Sequence, residues 1–151
     1  MTEMQTGDVR TARGVLAEKS SGQMVLTPPG TDYRLHLVTE GEIAGEVGKP
    51  IAGRIHASAK RIDKARSGGR YIEPIYGRPR RIQGRVVATD AAAGTITVAC
   101  PCPMICTTMP PQTPGDFAEG DLVTFDIERG ARFETVTAKD GGENMESSQN
   151  A

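Results

Sequence analysis

The sequence predicts an all-β fold: one small barrel or two, made of two similar units at about 9–57 and 82–133, joined by a basic connector. Three observations predict it. Eighteen Gly and ten Pro stand beside only six aromatic residues in 151, a composition of many turns and short strands rather than long helices. Apolar residues alternate with polar ones in runs bounded by Gly and Pro. The first half also echoes in the second. Gly14-Val15-Leu16-Ala17-Glu18 followed by Gly22-Gln23-Met24-Val25-Leu26 returns as Gly84-Arg85-Val86-Val87-Ala88 followed by Gly94-Thr95-Ile96-Thr97-Val98, offset by about 70 residues.

In chain order, a strand is expected from about Val9 to Glu18, a turn at 19–22, and a returning strand at 23–26. Thr27-Pro28-Pro29-Gly30 ends it, because neither proline can donate to a ladder. Tyr33 to Val38 alternates and forms a third strand. Residues 39–48 form a loop. In Ile51 to Ala57, alternation puts Ile51, Gly53, Ile55 and Ala57 on one face and Arg54, His56 and Ser58 on the other. A helix over Ala57–Ala65 is an alternative, since Ala59, Lys60, Arg61 and Lys64 tolerate one. Lys64 to Arg81, broken by Ser67-Gly68-Gly69, Pro74 and Pro79, is expected to be an extended basic excursion between the halves. Strands at about 82–90 and 95–99 follow. Cys100 to Asp116, with five prolines, is expected to be an ordered loop. Phe117 to Asp121 then turns into a strand with Val123, Phe125 and Ile127 on one face.

Residues 1–8 and 138–151 are expected to be disordered tails around a single domain at 9–137, the second tail being too polar to order itself. No apolar run approaches the roughly 18 residues of a membrane span, and the N-terminus has neither basic nor apolar leader character. A cytoplasmic protein without a membrane partner is the expectation. Three cysteines, an odd number packed into seven residues, fit a reducing compartment.

Residues 82–133 resemble an OB-fold strand set of the cold-shock or translation-factor type. The residues that carry the likeness are Gly84-Arg85-Val86-Val87, Gly94-Thr95-Ile96-Thr97-Val98, and Phe117-Ala118-Glu119-Gly120-Asp121-Leu122-Val123-Thr124-Phe125-Asp126-Ile127-Glu128-Arg129-Gly130. The resemblance implies a small barrel that binds single-stranded nucleic acid on a strand face. It departs from those families in one respect: Thr95 to Ala99 carries no aromatic residue.

Charge is strongly partitioned. Lys49 to Arg85 holds eleven of the eighteen Lys and Arg against two carboxylates, Asp63 and Glu73. Such a block neutralises phosphates, and Arg also stacks on bases. The nucleic-acid-binding candidates are Arg54, Lys60, Arg61, Arg66, Arg70, Arg78, Arg80 and Arg81, with Tyr71 and Tyr76 as stacking residues. The alternative is a structural or assembly protein, a homo-oligomer in which this block meets the acidic second half of a neighbour and strand edges add to the contact. A third reading places zinc or copper on Cys100, Cys102 and Cys106, with His36 or His56 as a fourth ligand. No nucleophile elbow, zinc-protease motif or Gly-rich phosphate loop is present, so no catalytic residue is assigned.

Overall fold

The computed structural model describes residues 8–136, and within them the chain is all-β. Its strands are β1 (Ala12–Ser20), β2 (Gln23–Thr27), β3 (Arg34–Val38), β4 (Pro50–Ser58), β5 (Asp63–Lys64), β6 (Tyr71–Glu73), β7 (Tyr76–Gly77), β8 (Arg81–Asp90), β9 (Thr95–Ala99), β10 (Pro103–Thr107), β11 (Leu122–Asp126) and β12 (Arg132–Thr135). Among the described residues a 3-10 turn spans Pro114–Asp116.

Following the pairings from neighbour to neighbour closes a five-stranded barrel. β1 pairs β2, β2 pairs β3, β3 pairs β12, β12 pairs β4, and β4 returns to β1. A second ring leaves β4 by β10, then runs through β9, β8 and β11. It closes where the chain beyond β4 lies antiparallel along β11, through the Ala59–Ile127 bridge and then β5. β4 therefore leaves the first ring and supplies a wall of the second, while the chain after β11 crosses back as β12 to complete the first. One apolar cluster runs through both rings, from Leu16, Leu35 and Phe133 to Ile96, Met104 and Phe125. Alternation explains how it forms: β4 buries Gly53, Ile55 and Ala57, and β11 with its extension buries Val123, Phe125 and Ile127.

The two hairpins share backbone devices. β1 is bulged between Leu16 and Glu18, and β8 between Val86 and Ala88. Gly14 pairs Ile51, and Gly84 pairs Val123. At both glycines a Cβ would strike a backbone carbonyl of the returning strand, Thr27 O and Ala99 O respectively. Only glycine lets the strands approach that closely. The hairpin turns place Gly22 and Gly94 at φ 81° and 74°, where a side chain is strained.

Several expectations need correction. β4 runs unbroken to Ser58 and its continuation pairs with β11, so no helix forms over 57–65; pairing on both flanks outweighs helix tolerance. The connector is not a free excursion. β5 lies on β11, β6 on β8 and β7 on β3. The Cys100–Asp116 segment contains a strand, β10, between β9 and β4. Pro103 opens it, the strand position where a missing N–H is tolerated. β12 had no sequence signal of its own. The first strand begins at Ala12 rather than Val9, and Asp8, assigned to a tail, accepts a hydrogen bond from the Arg10 N–H. The rest of the two expected tails, 1–7 and 138–151, lies outside the described residues. No described helix is long and apolar enough to cross a membrane.

Candidate nucleic-acid interface

Four segments meet where the chain crosses between rings. The Lys60 N–H donates to Asp126 O at 2.9 Å, Glu128 N–H to Ser58 O at 2.9 Å, Ile127 N–H to Arg80 O at 2.9 Å, and Arg80 N–H to Glu73 O at 2.8 Å. These bonds fix the backbones around a cleft of about 720 Å³. Into it face Lys60, Arg78, Arg80, Arg81 and Arg129, together with Glu73, Asp126 and Glu128.

Arg81 is not free. Its guanidinium donates to Asp126 at 2.8 Å and to the Thr124 hydroxyl at 3.2 Å. The Asp126 bond, and Tyr71 beside it, raise its pKa above the usual arginine value. Among the described residues, Lys60, Arg78, Arg80 and Arg129 have no carboxylate within ion-pair distance. Glu73 and Glu128 likewise have no cationic partner there. Among the described residues the cleft thus presents four unpaired cations and two unpaired carboxylates.

The other sequence candidates lie elsewhere. Arg54 projects from β4 and pairs with Asp8 at 2.7 Å. Burial raises the Asp8 pKa, but the Arg10 N–H and the Arg54 guanidinium outweigh it and leave the carboxyl below its usual value. Arg61 is exposed and pairs with Asp63 at 3.2 Å. Arg66 and Arg70 are exposed on the way into β6. The tyrosines separate. Tyr71 is half-buried on β6 opposite Gln83, on the second ring. Tyr76 is 63 % exposed on the first ring, with the Arg34 guanidinium 5.2 Å over its ring and His36 6.2 Å away.

The charge count missed Arg129 because it sits in the acidic half. The only available signal was its place just after the Val123-Phe125-Ile127 alternation, where a strand leaves the sheet. Arg34 was missed for a similar reason: nothing in its own strand announces the Tyr76 contact.

Cys100, Cys102 and Cys106 are all buried in the apolar cluster. Burial pushes the Cys100 thiol up to about 12, and pushes Cys102 and Cys106 well above the usual thiol range. The Cys100 thiol donates to Cys102 O at 3.0 Å. His56 pairs instead with Glu134 at 2.9 Å on the outside of the first ring, and His36 lies on the exposed face of β3. Among the described residues no three His, Cys, Asp or Glu side chains converge on a metal-sized site. With no such group among the described residues, the geometry lends the zinc or copper reading no support. Self-association through strand edges is also weakly served: each described strand of five residues or more has partners on both sides along part of its length.

No protein-family model, no curated protein and no solved structure matches this chain.

Proposed function

We propose that the chain is a non-enzymatic binding module that captures single-stranded nucleic acid in the cleft at the crossing of its two rings. The observation that carries the reading is the gathering of Lys60, Arg78, Arg80 and Arg129, unpaired among the described residues, around one ligand-sized space. Clefts of about 300–1,000 Å³ suit small ligands or one to two units of a polymer. Backbone hydrogen bonds fix the segments that carry these cations, so binding has to order only their side chains. Tyr76 follows one residue before Gly77 and two before Arg78, which leaves an exposed ring within reach of a strand leaving the cleft. Base stacking on such a ring is worth about 1–3 kcal/mol.

The OB-like character of the barrel belongs to this proposal. So does descent of the two units from one ancestral unit, each copy now contributing a strand to the other's ring. The matched bulges, glycines and turn conformations support that reading.

Labelled oligouridylate and oligothymidylate, titrated by fluorescence anisotropy across a salt series, test the function. Three or four phosphate contacts give a slope of log K against log salt of about −2 to −3. Lys60→Ala with Arg80→Ala flattens it by about 1.4, roughly 0.7 for each phosphate no longer neutralised. Absence of binding at low salt, or binding indifferent to salt, removes the proposal.

A further inference from the structure

Resting on that reading, we infer that the cleft does not only hold phosphate but selects the base, and that one of its two carboxylates, Glu73 or Glu128, selects guanine. The unexplained feature is the two carboxylates. A channel built for phosphate alone is weakened by every anion in it, since like charges at close range repel. Yet Glu73 and Glu128 face the same space as Lys60, Arg78, Arg80 and Arg129, and neither is neutralised by an ion pair among the described residues.

Both project from backbone that is fixed by hydrogen bonds. Glu73 sits in β6, with its carbonyl accepting the Arg80 N–H at 2.8 Å. Glu128 is anchored by its N–H to Ser58 O at 2.9 Å. An ionised carboxylate only accepts hydrogen bonds, and it can accept two in parallel. A nucleotide offers phosphate to the cations and a base edge to these acceptors.

The bases differ in what they offer. The Watson–Crick edge of guanine carries two adjacent donors, N1–H and the N2 amino group, matched to two carboxylate oxygens. Cytosine and adenine each present one amino group beside a ring acceptor that repels a carboxylate. Uracil and thymine present one N–H between two carbonyls. A single-stranded ligand leaves that edge free, whereas a duplex hides it.

Short oligonucleotides decide the matter: U5, U2GU2, U2AU2, U2CU2 and the inosine form U2IU2, titrated at one low salt concentration. U2GU2 is expected to bind about tenfold tighter than U5, the low end of what a bidentate base contact gives. Inosine, which keeps N1–H and lacks the amino group, should fall between them. Glu73→Gln and Glu128→Gln are tested separately. The one that makes the contact should reduce the guanine preference to under threefold while strengthening U5, because a repulsive charge is gone.

Equal affinity for all five ligands, or a preference untouched by both substitutions, overturns the inference and leaves salt-dependent capture standing. No binding of any oligonucleotide overturns the capture itself.

Discussion

Two stretches of the chain, Ala12–Ser58 as the first unit and Arg81–Ile127 as the second, share hairpin geometry and differ in side chains. Both use a bulged first strand, a glycine under the returning strand and a left-handed glycine in the turn. They differ in how each ring is filled. In the first, Gly53 makes room for a residue from elsewhere: a Cβ there would meet the Phe133 ring at 2.5 Å. In the second, Phe125 on β11 fills its own ring. They also differ at the surface. Charges on the first unit pair as Arg34–Glu18 and Lys19–Glu42, and with flanking residues as Arg54–Asp8 and His56–Glu134; the second pairs Arg81 with Asp126, while the other cations of the cleft beside it have no such partner among the described residues. Backbone geometry is thus common property, and chemistry is what separates the two.

The largest difference is in titratable core groups, because all three thiols belong to the second unit. Burial holds them protonated, Cys100 to about 12. In the unfolded chain they ionise near pH 8.5. The unfolded state therefore binds fewer protons above that pH, and the stability the thiols contribute, complete below it, falls as pH rises toward the folded values. Each thiol contributes about 1.4 kcal/mol of loss per pH unit in that window. Cooperative unfolding between pH 9 and 12, by far-UV circular dichroism, is expected. Native protein at neutral pH should not react with a thiol reagent, and unfolded protein should show three reactive thiols. Rapid labelling of the native form would break the contrast.

Aromatic filling comes next. Phe133→Ala and Phe125→Ala should each destabilise by about 3–5 kcal/mol in urea unfolding. Equal losses are expected despite the different origins of the two rings, because both residues are fully buried. If Phe133→Ala were mild, the first ring would not depend on the crossing strand.

Gly14→Ala and Gly84→Ala should each lose about 2–4 kcal/mol, since the new methyl meets backbone that cannot swing aside. Similar losses at the two positions would support common descent of the units. A large gap between them would count against it.

These comparisons also show what the sequence could express. Alternation located β2, β3, β4, β8, β9 and β11 to within a residue or two, because each shows one face to a core. β10 was hidden by its prolines, which argue for a loop until both neighbouring strands are known. β12 was hidden by its length: four residues with one large apolar side chain become a strand only because β3 and β4 stand on either side. The same limit applied to the cleft. Lys60, Arg78, Arg80 and Arg81 were visible as charge density. The exclusion of Arg54, Arg61, Arg66 and Arg70 depends on how strands cross, which local composition does not encode. Glu128, and Arg129 after it, entered through a backbone bond to the distant Ser58, and Glu73 through its bond to Arg80.

The smallest effect discriminates the two surfaces most sharply. Asp8→Asn and Asp126→Asn each remove the carboxylate from an ion pair, the part-buried Arg54–Asp8 on the first unit and the exposed Arg81–Asp126 on the second. Asp126→Asn should change stability by no more than about 1 kcal/mol, the usual range for exposed ion pairs, and Asp8→Asn, in a part-buried pair, by no more than about 1.5 kcal/mol, the scale of one hydrogen bond. Oligonucleotide affinity is expected to separate them. Asp126→Asn deletes an anion from the cleft and releases Arg81 to bind phosphate, so affinity should rise about threefold to tenfold and the salt slope should steepen by about 0.7, the increment for one further phosphate. Asp8→Asn also frees an arginine, but Arg54 does not line the cleft, and affinity should stay unchanged. An equal gain in both variants would mean that any added positive charge suffices. Capture would then be spread over the surface rather than held at the crossing.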